Sequence, residues 1–259
     1  MTDVGAEPDT RVRWWPYLAE VVVVLWVSLG ASALRAFLAI LDRLTVDVDL
    51  ADQSASIVVS RTPDRPWLDL AYQLTGVLIA MGPVALALYL LVRGGESLSV
   101  LGLDGRDKRG DLRRGAVLAV LVGGAGLVLY LAAYAAGLSV QIAAVTASQF
   151  WWTIPMLLLV AAQNAILEEV VMLGYVLHRF DQAGIAGWLA IAIASLVRGS
   201  YHLYQGFGGF LGNAVMGVLF GVLYRRWGRV GPFVIAHFLI DAVAFVGYYT
   251  LSDSLSWLP

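Results

Sequence analysis

The sequence predicts an all-α fold, a polytopic membrane bundle of about seven transmembrane helices. Three observations predict it. The chain of 259 residues is 59% hydrophobic and only 14% charged, against the ~45–50% apolar content of soluble domains, and its mean hydropathy is +0.76. The apolar residues collect into runs of roughly 17–25 residues, long enough to cross a hydrocarbon core. The cations collect in alternate loops, as membrane topology requires.

Residues 1–16 read as a polar N-terminal tail. Tyr17 to Leu41 follows as the first span; it is too long for a signal-peptide core and no clear cleavage site follows it. Leu68 to Val92 is the second span, Gly115 to Leu138 the third and Ile154 to Leu177 the fourth. Gly187 to about His202 is a short fifth. Phe207 to Tyr224 is the Gly-rich sixth and Val230 to Tyr249 the seventh. Residues 1–259 thus read as one integral membrane domain in the lipid bilayer, with no internal repeat. Gly208, Gly209, Gly212, Gly217 and Gly221 read as residues that let helices approach closely.

Arg11 and Arg13 precede the first span. Arg93, Arg106, Lys108, Arg109, Arg113 and Arg114 separate the second from the third, Arg179 follows the fourth, and Arg225, Arg226 and Arg229 precede the seventh. The opposite loops are acidic or neutral. The positive-inside rule then places the protein in the cell membrane with a cytoplasmic N-terminus and an external C-terminus. Trp14, Trp15, Trp67, Trp151, Trp152 and Trp227 fall near span ends and read as interfacial anchors. The net charge of -2 offers nothing to nucleic acid, and the absence of cysteine excludes disulfides, thiolate nucleophiles and thiolate metal sites. The three histidines are His178, His202 and His237. His178, at the end of the fourth span, reads as a solvated terminal residue.

Against this background the pair Glu168-Glu169 stands inside the fourth apolar run. One acidic side chain at mid-bilayer costs at least ~2.5–3.5 kcal/mol, so the pair marks a functional site. Asn164 lies i, i+4 from Glu168 and shares its face. Glu169 is turned by about 100° from Glu168, so the two carboxylates need not act alike. Arg198 and His202 are again i, i+4, as are His237 and Asp241. Asn213 is a weaker candidate on the sixth span. A buried glutamate and a neighbouring imidazole are the equipment of general acid–base hydrolysis. A second histidine suits a metal or a developing oxyanion. The set Glu168, Glu169, His202 and His237 also has the chemistry to hold a divalent metal such as zinc. Arg198 and Asp241 each admit a purely structural reading as partners in a buried ion pair. Buried Glu, His, Asp and Arg also fit a proton- or ion-coupled transporter, though the chain lacks the broken helix pairs of a repeat transporter.

These residues resemble the CPBP family, the CAAX-processing and bacteriocin-processing (Abi) intramembrane endopeptidases. Its pattern is Glu-Glu-x-x-x-Arg, then Phe-x-x-x-His, then His-x-x-x-Asn or Asp on successive membrane helices. Glu168-Glu169, His202, and His237 with Asp241 match in order, and the resemblance covers 154–246. It implies hydrolysis of a peptide bond in a membrane-associated or lipidated peptide or protein, with water activated by Glu168 and His202. His237 and Asp241 would stabilise the oxyanion, for which an Asp must be protonated to donate. It also admits a catalytically silent scaffold or immunity protein of the same fold. The family includes metalloproteases and glutamate-type enzymes, so the cofactor stays unknown. Two positions depart: the motif arginine falls at Leu173 and the phenylalanine at Arg198. The guanidinium is therefore expected to have moved from helix four to helix five, where it neutralises Glu169. Depth is a difficulty: at 1.5 Å per residue from the cytoplasmic helix ends, Glu168 lies ~15 Å deep, His237 ~9 Å and His202 ~22 Å.

Overall fold

The computed structural model describes residues 14–145 and 150–251. Residues 1–13, with Arg11 and Arg13 and most of the expected tail, lie outside them. The fold is an all-α bundle. Five of its helices are long and apolar enough to span a membrane: Pro66–Arg93, Lys108–Ala135, Thr153–Gln182, Phe207–Trp227 and Gly231–Leu251. The pair α1 (Trp15–Trp26) and α2 (Leu29–Thr45), bent by 52°, makes a sixth candidate if the two count as one span. At the bend the Ser28 hydroxyl donates to the Val24 carbonyl at 2.5 Å, a local bond that competes with the helix ladder. The expected short fifth span is α8 (Gly187–Ser200), a shorter apolar helix.

The remaining helices follow the order read from the sequence. Pro66–Arg93 consists of α3 (Pro66–Ala80) and α4 (Gly82–Arg93). Lys108–Ala135 is α5, which starts seven residues before the expected Gly115 because its first turns carry solvated cations on a continuous helix. Asp107 caps it by accepting from the Gly110 amide at 3.1 Å. The fourth span begins as α6 (Thr153–Glu168), widens into π-helical turns over Glu169–Val176, and ends as α7 (Leu177–Gln182). Every residue of the π segment is buried. Phe207–Trp227 is α9 and Gly231–Leu251 is α10. The loops read from sequence also hold a small parallel pair, β1 (Ser54–Val58) with β2 (Gln141–Val145), which no alternation in those short runs announced.

Polarity is distributed inside out. Leu78, Val120 and Val243 are more than 70% exposed, whereas Glu169 and Arg198 are at most 1% exposed. A bundle that turns valines outward and a carboxylate inward is built for lipid. The core joins Leu91 and Leu101 to Val171 and Tyr175 of the π segment and to Phe220, Phe233 and Ala236. Glycines set the α8–α9 spacing: a Cβ at Gly217 would lie 3.0 Å from Ser195, and one at Gly221 3.0 Å from Ile191, as expected of packing residues.

Several surface readings change. Trp14, Trp15, Trp67 and Trp151 are exposed as anchors should be, but Trp152 is buried, stacked on Phe150 with centroids 4.6 Å apart. Arg179 is not a loop cation. It is buried and paired with Glu20 at 2.9 Å and with Glu96. His178 is not freely solvated either, because its Nε2 meets the Glu96 carboxylate. Two acidic partners from α1 and from the turn after α4 thus pin the end of the fourth span. Arg229 is clamped by Asp111 at 2.8 Å and Asp104 at 2.7 Å.

Candidate active site

The π turns, α8 with the turn after it, and α10 bring the ionisable residues together. Glu169, fully buried at the head of the π segment, points one carboxylate oxygen at two partners. Its Oε1 accepts from Nη1 of Arg198 at 2.7 Å, and it lies 2.7 Å from Nδ1 of His237. The carboxylate fixes one proton of the ring: Nδ1 carries hydrogen and donates to Glu169. The contact of 3.3 Å between Nη2 of Arg198 and Nδ1 of His237 then joins two donors and is packing rather than a bond. The other imidazole nitrogen, Nε2, faces Oδ2 of Asp241 at 3.5 Å. Arg198 thus sits on Glu169, the placement the relocated guanidinium requires, and Leu173 is a core residue, 3% exposed.

Glu168 faces a different set. Its Oε2 accepts from the Tyr201 hydroxyl at 2.7 Å and lies 3.5 Å from Nη2 of Arg198 and 3.7 Å from Nε2 of His202. The rotation of about 100° between adjacent helical residues therefore gives the two carboxylates separate partners. Both ring nitrogens of His202 are buried and lack a hydrogen-bond partner among the described residues. Buried polar atoms are satisfied in nearly all native structures, so this imidazole is poised for something from outside the chain.

The turn carrying His202 is fixed by backbone. The His202 amide donates to Gly199 at 3.0 Å, and Val140 to the Gln205 carbonyl at 3.2 Å. Gly206 closes the turn at φ 93° with Leu138 and Ser139 against it; a Cβ there would lie 2.6 Å from the Leu138 carbonyl oxygen. Only glycine enters this backbone region without strain. Gly199 packs so closely on Phe210 that a Cβ would meet it at 2.9 Å, which draws the end of α8 onto α9.

The depth difficulty resolves in the helix ends. The fourth span continues to Gln182, so Glu168 lies about 21 Å from that end, level with His202 at about 22 Å. Helix α10 starts inside the bundle. Val230 is fully buried, and a Cβ on Gly115, seven residues into α5, would lie 2.8 Å from the Pro232 carbonyl. That offset of about 10 Å carries His237 down to the other groups.

Two expected residues stand apart from this network. Asn164 accepts from its neighbour Gln163 at 3.2 Å, and Asn213 donates back to the Gly209 carbonyl at 3.0 Å. Neither bonds to a glutamate or histidine of the site. Tyr201 was missed; the one available signal was its place beside His202 in an otherwise apolar run. The four metal-ligand candidates also fail to gather. Among the described residues no three His, Asp or Glu side chains are arranged to hold one metal ion, and Arg198 stands between the carboxylates where a cation would sit. The donor types suit a metal; their geometry does not, so no step below uses one.

No curated protein and no solved structure matches the chain. A family model does: residues 150–243, which hold Glu168, Glu169, Arg198, His202, His237 and Asp241, match the family described as Type II CAAX prenyl endopeptidase Rce1-like.

Proposed function

We propose that the protein is an intramembrane endopeptidase that hydrolyses a peptide bond in a membrane-associated or lipidated peptide. The observation that carries the reading is the meeting of Glu168 with a half-buried His202 imidazole 3.7 Å away, whose two ring nitrogens have no hydrogen-bond partner among the described residues. A water lying between them has a base on one side and a donor or acceptor on the other. Glu168 takes one water proton as the oxygen bonds to the peptide carbonyl carbon. The tetrahedral oxyanion is held by the Nε2–H of His237 in its imidazolium form, with Asp241 beside it, as in an oxyanion hole. The proton then passes to the amide nitrogen, the C–N bond breaks, and one water and one peptide bond become a carboxylate and an amine. Glu169 and Arg198 do not touch the water; Glu169 accepts the Nδ1–H of His237 and holds the ring in place, and Arg198 holds Glu169. The positive-inside pattern supports a cell-membrane location with a cytoplasmic N-terminus, and residues 154–246 are the catalytic core of one membrane domain.

The test is cleavage of internally quenched peptides, with and without a C-terminal S-prenylcysteine, by the purified protein in detergent. Glu168→Gln is expected to lower kcat/KM by about 10²–10⁴-fold while the melting temperature holds. Wild-type turnover by Glu168→Gln sinks the reading.

A further inference from the structure

Tyr201 precedes His202 in the turn after α8. It is 5% exposed, and its ring leans on the His202 imidazole with centroids 4.8 Å apart. Its hydroxyl is the nearest donor to Glu168, at 2.7 Å, closer than the Arg198 guanidinium at 3.5 Å or the His202 imidazole at 3.7 Å. All three face the same oxygen, Oε2. Among the described residues Oε1 accepts no hydrogen bond. A hydroxyl bonded to a carboxylate is charge-assisted and strong, whereas 3.7 Å lies beyond a hydrogen bond. A buried imidazole next to a buried carboxylate ordinarily closes such a gap, because leaving either unpaired is costly. Here Tyr201 makes the short bond to that oxygen, and His202 stays 3.7 Å away.

We propose, on the endopeptidase reading, that Tyr201 is a positioning residue: its hydroxyl anchors Oε2 of Glu168, holds the carboxylate back from His202, and so leaves Oε1 and the imidazole both unpaired for water and the peptide carbonyl. The turn is suited to this. The Tyr201 and His202 amides bond back to Val197 at 3.3 Å and Gly199 at 3.0 Å, so both side chains leave a fixed backbone together. A tyrosine present only to fill the core would serve through its ring alone.

Tyr201→Phe keeps the ring and removes the hydroxyl. The chain has only three histidines, so the protein labelled with ¹⁵N-histidine in micelles gives few ring signals, and His178 is an internal control. In Tyr201→Phe the His202 signals are expected to move to carboxylate-bonded values while those of His178 stay. On the quenched peptides kcat is expected to fall about tenfold, the worth of one hydrogen bond, with KM within about twofold. Unmoved His202 signals, an unchanged kcat, or a change in KM alone overturns the proposal. The unsubstituted protein gives an independent check should the variant not fold: a His202 ring already bonded to a carboxylate overturns it as well. Glu168→Gln run alongside separates the two claims. If that variant cleaves normally, the endopeptidase reading fails, whereas a dead Glu168→Gln beside a fully active Tyr201→Phe removes only the role of Tyr201.

Discussion

Removing the Arg198 guanidinium tests how the site is held together. Arg198 and Glu169 are at most 1% exposed and meet at 2.7 Å. Two unit charges about 4 Å apart attract by ~4 kcal/mol at an effective dielectric of 20, and breaking a buried pair from one side costs about 3–5 kcal/mol. Glu169 keeps its bond from His237, so Arg198→Ala belongs at the low end, ~3 kcal/mol. That is a large part of a typical ~5–15 kcal/mol stability and corresponds to a fall of about 6–12 °C in melting temperature. The assay is thermal unfolding of the purified protein in detergent, followed by peptide cleavage at a temperature where the variant is folded. Cleavage should be lost as well, because His237 loses the group that fixes its partner. The double variant Arg198→Met/Glu169→Gln removes both charges and should recover most of the stability but not the activity. Full activity together with full stability in Arg198→Ala, or a double variant no more stable than the single, refutes the reasoning.

Two further outcomes follow from the site and its periphery. Asp241→Asn should retain cleavage, since an amide donates without needing a proton, whereas Asp241→Ala should lose about 10²–10³-fold in kcat, the cost of an oxyanion donor; equal rates for both variants in the quenched-peptide assay exclude Asp241 from that role. Glu96 lies beyond the end of α4: burial pushes its carboxyl up, but the hydrogen bonds from His178 and Arg179 outweigh this and hold it below the usual glutamate value. A lowered carboxyl stabilises the fold above its unfolded value of about 4.3 and loses that contribution as pH falls through the folded one. The melting temperature should therefore drop on acidification below about pH 4.3, and Glu96→Gln should flatten that part of the profile; identical acid profiles for the two proteins rule out this linkage.

What the sequence makes legible here is whatever depends on helical spacing. The split between Glu168 and Glu169 and the shared face of His237 and Asp241 rest on i, i+1 and i, i+4 arithmetic, the Arg198–Glu169 pair rests on the two departures from the family motif plus charge, and each is seen in the structure. The hidden parts depend on distant segments. Arg179 looks like an ordinary cytoplasmic cation because Glu20 and Glu96, which bury it, are far away in the chain. The Tyr201 hydroxyl has no spacing signature, since its acceptor is on another helix. The π turns hide in a uniformly apolar stretch where every residue is buried and no polar face marks the phase. The depth difficulty came from the same limit: periodicity locates neither the buried start of α10 nor the α7 extension of the fourth span.

The position of the guanidinium has a consequence beyond charge. An arginine at 173 would share a helix with Glu169, four residues on, and would neutralise it within one element. From α8, Arg198 reaches Glu169 at 2.7 Å and Glu168 at 3.5 Å on the fourth span and packs against His237 of α10 at 3.3 Å. One side chain thereby fixes the relative placement of the three elements that carry Glu168, His202 and His237. A buried ion pair is weak evidence for net stability because desolvation offsets attraction. It is far better at specifying a unique arrangement, because every alternative packing leaves a charge unpaired in an apolar interior. At this site, where Glu168 and His202 stand 3.7 Å apart and about 1 Å of misplacement can cost a hundredfold in rate, the cation on α8 does more than balance charge: it sets the distance between helices.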